Sequence, residues 1–230
     1  MIPKEIAVFV TEVMPAFTIG IFVIGWLLRI SLWAGLPYAW KLTAPIRRDW
    51  LPSVVKNWTV NLLPPVDLAA KLDPVFYVVG LAMHLSFVAL IFTKVHLSAL
   101  LKVVGLDFRI DFFVPKTFTN LISIVFVVCL SLMIFRRVFQ YASNRALRSI
   151  SGVGDFIAAP LLWAVGFTGY LIAHPLAQPS PLPIYQTVVT LHLILTQLFI
   201  MYVPFSKFLH GITVFIVRTF FGIRRAIYRV

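Results

Sequence analysis

The chain has 230 residues, 60% of them hydrophobic and 12% charged, with a formal net charge of +12. A soluble domain carries about 25% charged residues, so this composition has too little polar surface to cover a water-soluble globule. The single cysteine, Cys129, excludes an internal disulfide, a four-thiolate iron–sulfur cluster and a C-x-x-C-H haem attachment.

Five apolar runs follow one another along the sequence. Val8 to Leu28 contains one acid, Glu12, and no base; Val75 to Thr93, Thr117 to Phe135, Phe156 to Leu171 and Thr187 to Phe205 contain no charge. A membrane span needs about 20 predominantly apolar residues, and in lipid only helices or closed barrels satisfy every backbone polar group. The expectation is an all-α membrane protein of five transmembrane helices, with residues 1–230 as one membrane domain. The first run reads as a span and not as a cleaved signal peptide: it is too long, and it lacks the usual basic leader and a small-residue cleavage site.

Helix I is expected from about Ile6 to Trp33. The long segment from Pro37 to Asp73 follows, and its stretch WLPSVVKNWTVNLLPP, rich in Trp and Pro, suggests an interfacial or re-entrant piece. Helix II runs from about Pro74 to Leu101, with the proline suited to a first turn. Helix III covers about Thr117 to Tyr141 and helix IV about Gly152 to Ala173. Helix V runs from about Ile184 to Thr219, with Pro204 inside it to remove one backbone bond and bend it. Cys129, mid-helix, reads as a small apolar filler.

The bases are asymmetric. Lys41, Arg47, Arg48, Lys56 and Lys71 lie in the first loop, Arg136, Arg137, Arg145 and Arg148 in the third, and Arg218, Arg224, Arg225 and Arg229 towards the end. The last loop, HPLAQPSPLPIYQ, has no charge. The positive-inside rule then puts the N-terminus outside and the basic tail, 220–230, in the cytoplasm. A basic surface of this kind suits anionic lipid or an acidic partner subunit, and nucleic acid is rejected because the bases sit in loops between spans.

Ionisable groups inside a span are functional candidates, and four of the five histidines fall on helices II and V. His192 and His210 are 18 residues apart, which is five turns on one face and roughly 27 Å of rise. His84 and His96 are twelve apart, roughly 18 Å of rise and about 120° around an ideal helix. The inferred orientation pairs them by depth, His84 with His210 on the inner side and His96 with His192 on the outer. Two cross-helix pairs at two depths suit two haems with bis-imidazole ligation. The plainer alternative for any one of them is an interhelical hydrogen bond. His174, before a proline at the end of helix IV, reads as a solvated cap and is the reserve ligand. Lys94 reads as a snorkelling lysine, with axial ligation or a hydrogen bond to a quinone as alternatives.

The stretch PFSKFLH, Pro204 to His210, resembles a motif of one group of membrane cytochromes b, P-F-S-[KR]-L-x-H, whose histidine binds haem. The group is the gamma subunit of respiratory nitrate reductase with its relatives in sulfite-reductase-linked and heterodisulfide-reductase-type complexes. The 18-residue interval and the five-helix plan extend the resemblance loosely over Pro74 to Val230. It implies His84 and His210 as axial ligands of an inner haem b, and His96 and His192 of an outer one: two haems, or one if only the inner pair holds. The nitrate-reductase members space the helix II pair by ten residues, which lands on Lys94, so Lys94 is the alternative outer ligand. A family lysine at the start of helix III, beside a quinone pocket, corresponds to Lys116. The long first loop is unlike the nitrate-reductase form and leans towards the other branches.

The resemblance implies electron transfer between a quinone pool and an iron–sulfur subunit on the cytoplasmic face of the cell (inner) membrane. Terminal substrate chemistry would belong to further subunits of the complex, and no catalytic residue is expected on this chain. Two other classes compete: a histidine-lined proton or ion transporter, against which stand the scarcity of membrane acids and the absence of a repeat, and a membrane anchor without haem.

Overall fold

The computed structural model describes residues 3–34, 50–59, 73–93, 96–98, 116–145, 148, 152–173, 182–209, 213, 216, 218–220 and 222–223. These are helical or connect helices. Five segments are long and apolar enough to cross a membrane: Lys4–Leu32, Pro74–Ile91, Thr117–Ser143, Phe156–Ala173 and Pro183–Phe205. Large apolar side chains such as Val75, Leu85, Phe135 and Phe139 point outwards on them, as lipid-facing residues do, since acyl chains are as apolar as leucine. The chain is a multi-pass membrane protein.

Two compact units divide the chain. One comprises Met1–Ala16 and Val78–Phe199, the other Phe17–Tyr77 and Ile200–Val230.

Helix I consists of α1 (Lys4–Val8), a π-helical turn (Phe9–Val13) and α2 (Met14–Ala34). Pro15 explains the π turn. Its ring clashes with the carbonyl four residues back, that of Thr11, and it offers no N–H; widening the preceding turn relieves both. A carbonyl loosened this way needs a donor, and Val10 O receives one from the buried Gln197 Nε2 at 2.9 Å.

In the first unit, α5 (Lys116–Ser143) and α6 (Gly154–Ala173), with the parts of α4 (Pro74–Ile91) from Val78 on and of α7 (Leu182–Tyr202) up to Phe199, supply the core. α5 and α6 run antiparallel. Near their connection Tyr141 meets Phe156 edge-on at 5.0 Å. Further along, Trp163 Nε1 donates to Ser131 Oγ at 2.8 Å. Beyond that, Phe126 lies where a side chain on Gly166 would stand, 2.5 Å from the position of its Cβ. Phe126 and Leu130 are fully buried here, and Phe87 of α4 stacks on Phe126 at 5.8 Å.

Helix II is shorter than its apolar composition suggests. α4 stops at Ile91, Phe92 and Thr93 turn, and residues 96–98 are helical again. Leu90 O explains the stop. It accepts from Thr93 N at 3.2 Å, Thr93 Oγ1 at 2.8 Å and His96 Nδ1 at 2.8 Å. Local side-chain donors thus take over a carbonyl that the next helical turn would have used.

The second unit contains the break in helix V. After α7, Val203–Phe205 form a 3-10 turn, Ser206 is extended, and Lys207–Leu209 form a second 3-10 turn. The single bent helix expected over Ile184 to Thr219 is therefore interrupted. Ser206 Oγ donates to Val203 O at 3.0 Å and accepts from Phe208 N at 3.1 Å, bridging the break. Arg29 Nε donates to Pro204 O at 3.0 Å. Gly25 allows the close approach: a Cβ there would lie 2.7 Å from Pro204 Cβ and 2.9 Å from Phe205 Cζ.

The Trp- and Pro-rich stretch forms α3 (Trp50–Trp58), nine residues and so only about 13 Å long, too short to span. It bonds to Arg218, Thr219 and Gly222. Asn57 Nδ2 donates to Arg218 O at 2.7 Å, Arg218 Nη1 returns a bond to Asn57 O at 3.0 Å, and Ser53 Oγ donates to Gly222 O at 2.8 Å.

Candidate functional site: a histidine pair between helices II and V

His96 and His192 come together in the first unit, their ring centroids 6.3 Å apart and their planes at 50°. His96 stands just past the end of α4 and is exposed; His192 is half-buried in the middle of α7.

Hydrogen bonding fixes the proton on each ring. His96 Nδ1 lies 2.8 Å from Leu90 O and 2.8 Å from Thr93 Oγ1. A carbonyl has no proton to give, so Nδ1 donates. The Thr93 hydroxyl directs its own proton to Leu90 O at 2.8 Å, so its oxygen is the acceptor for His96. The same pattern recurs at His192. Its Nδ1 lies 3.1 Å from Val165 O and 3.0 Å from Thr168 Oγ1, and the Thr168 proton goes to Ala164 O at 2.7 Å or Val165 O at 3.0 Å. In its neutral form each imidazole therefore carries the proton on Nδ1 and leaves Nε2 as the nitrogen without one.

Gly169 completes the cradle of His192. A Cβ on it would lie 3.2 Å from His192 Cε1, so glycine lets the ring rest against the backbone of α6. Thr168 is 6% exposed and Thr93 8% exposed; both are interior hydroxyls whose bonds are internal.

The break after Ile91 changes the relation between His84 and His96. The offset of about 120° belongs to an uninterrupted helix, and the turn at Phe92–Thr93 replaces it. His84 has the same proton arrangement as the other two: its Nδ1 lies 2.6 Å from Gly80 O, one turn earlier on α4, and its ring is exposed. Lys116 is the first residue of α5, but its side chain lies outside the described residues, as do His210, Lys94 and His174 altogether.

Thr93, Thr168 and Gly169 were not singled out by sequence reasoning, nor were the carbonyls of Leu90 and Val165. A signal existed for two of them. Gly166, Thr168 and Gly169 stand close together in one span, and small residues in membrane helices mark close helix–helix approach. Among the described residues, no group of three or more His, Cys, Asp or Glu is arranged to hold a metal ion. Comparisons with family models, with curated proteins and with solved structures found no match.

Proposed function

We propose that the chain is the haem b subunit of a quinone-linked membrane complex and that His96 and His192 hold one haem between them. The observation that carries this reading is the spacing of two imidazoles whose Nδ1 protons are both committed to protein oxygens. A metal–imidazole nitrogen bond is about 2 Å, and two such bonds plus the ring radii give a centroid separation of about 6 Å. The observed 6.3 Å fits. A ligating histidine ordinarily donates its other N–H to a carbonyl or similar oxygen, and both rings here do so. The porphyrin would occupy the four remaining iron positions, so two protein ligands suffice. Haem supplies reversible one-electron chemistry that the side chains lack. The chain's own part is to present Nε2 from two elements and to fix each ring by its Nδ1–H.

His84 with His210 is the corresponding inner pair in this reading. It is supported by the Nδ1–H···Gly80 O bond and by the resemblance of PFSKFLH to a haem-binding motif. The basic loops and tail, taken as cytoplasmic, form the docking face for an iron–sulfur subunit. Lys116, at the start of α5, is a donor to a quinone oxygen on the opposite side, and the protein resides in the cytoplasmic membrane. Quinol oxidation and quinone reduction both fit this arrangement.

The test is a reduced-minus-oxidised absorption spectrum of the purified chain with a pyridine haemochrome assay. The expected result is b-type bands with two haems per chain, or one if a single pair is filled. A chain that purifies folded from haem-replete membranes without b-type bands refutes the reading.

A further inference from the structure

Both members of the histidine pair meet a threonine in the same way, although the threonines occupy different structural contexts. Thr93 lies three residues before His96 in the turn that ends α4. Thr168 lies on α6, a different helix from His192. In each case the hydroxyl proton is spent on a backbone carbonyl, so the oxygen can only accept the imidazole proton. We infer that Thr93 and Thr168 are positioning residues that hold the two imidazoles as Nδ1–H tautomers and lower the reduction potential of the iron between them. This inference rests on the haem reading above and adds to it the residues that tune the haem.

The physical chain is short. Were haem held by these two rings, its oxidation would add positive charge to the ligating imidazoles, part of it on Nδ1–H. An oxygen accepting from that group stabilises the oxidised form more than the reduced one. Two acceptors serve each ring, a carbonyl and a hydroxyl, so removing the hydroxyl weakens the effect without abolishing it. His96 has the shorter contacts, 2.8 Å to both acceptors, against 3.0 and 3.1 Å for His192. Thr93 therefore has the larger influence. Thr168 is the cleaner site to change, because Thr93 also helps to end α4.

The experiment is a potentiometric titration of the intact chain in detergent, following the b-type band, for wild type, Thr168→Val, Thr168→Ser and Thr187→Val. Thr187 is the control: its hydroxyl bonds back to Pro183 O at 2.8 Å, on its own helix. Thr168→Val should raise the midpoint potential of one haem. The expected size is up to about tenfold in the reduction equilibrium, equivalent to ~59 mV for one electron. Thr168→Ser should restore the wild-type value, and Thr187→Val should leave it unmoved. A haem-loaded Thr168→Val protein with an unshifted potential overturns the inference and leaves the haem reading standing, whereas a wild type without haem overturns both. Should Thr168→Val not retain haem, nitrogen NMR of the haem-free wild-type chain labelled in histidine reads the tautomers directly. Nδ1–H at His96 and His192 supports the inference, and Nε2–H at either overturns it.

Discussion

His192 is fixed mainly by its neighbour helix. Two oxygens of α6 accept its Nδ1 proton, and Gly169 leaves room for its ring. Enlarging Gly169 should therefore act on the ring. Gly169→Ala puts a methyl 3.2 Å from His192 Cε1, a contact that a small shift relieves. Gly169→Val adds two more carbons and should displace the imidazole, cutting the haem content of that pair severalfold in a haemochrome assay while the protein still inserts. Unchanged haem content in Gly169→Val would show that the ring does not rest there when loaded. His96→Ala and His192→Ala should each remove the same single haem; if the two variants lost different haems, the pairing would be wrong. At this scale His96 and His192 were legible in the sequence, because ionisable residues stand out in apolar spans. The threonines that serve them were not. Threonine in a membrane helix usually bonds its own preceding turn, as Thr187 and Thr190 do here. Only the helix stop at Ile91 and the packing of α6 on α7 give Thr93 and Thr168 a second role.

Single prolines shape two of the helices, with unequal consequences. Pro15 is absorbed as a π turn because Gln197 reaches Val10 O. Pro204 produces a full interruption, since Ser206 caps the following turn and Arg29 takes Pro204 O. Hydropathy located the five spans, since the lipid requirement acts on composition alone. It could not reveal that helix II stops at Ile91. Lys94 and His96 already thin the apolar run beyond it, but the stop itself comes from three donors on one carbonyl. Likewise a proline in a sequence reads as a bend, and whether it breaks the helix depends on donors from elsewhere. Two consequences can be measured. Gln197→Leu leaves a buried carbonyl of the π turn without its donor and should destabilise the folded chain by about 1–3 kcal/mol, seen as a lower melting temperature in detergent. Gly25→Leu forces side-chain atoms into the space of Pro204 and Phe205 and should cost about 1–3 kcal/mol as overpacking. Smaller Gly25→Ala should show part of the same loss. A melting temperature unchanged in Gly25→Leu would mean that α2 does not pack on the break as closely as 2.7 Å implies.

At the scale of the whole molecule, the five apolar helices among the described residues would, each crossing the membrane once, put Lys4 and Phe205 on opposite sides of it. The number of spans does not decide which side is which; the charge does. Lys and Arg near span ends are retained on the cytoplasmic side; five stand in the first loop, four in the third and four towards the end, against Lys94, Lys102, Arg109 and Lys116 between the second and third spans and none over residues 174–186. The proposed electron route depends on this polarity. The pair His96–His192 must be nearer the outer surface and the basic surface must meet the iron–sulfur partner inside. The single cysteine makes the test direct. Cys129 lies half-buried within α5, so Cys129→Ala gives a thiol-free background at small cost. One cysteine is then introduced at Ser180 in the uncharged loop, and in a second variant at Arg229 in the tail. A membrane-impermeant thiol reagent applied to intact cells should label the first and spare the second, and in inverted vesicles the pattern should reverse. Labelling of Arg229→Cys from outside would turn the molecule over. The histidine pair would then lie on the cytoplasmic half, and a partner docked to the basic surface would stand on the wrong side to receive electrons inside the cell.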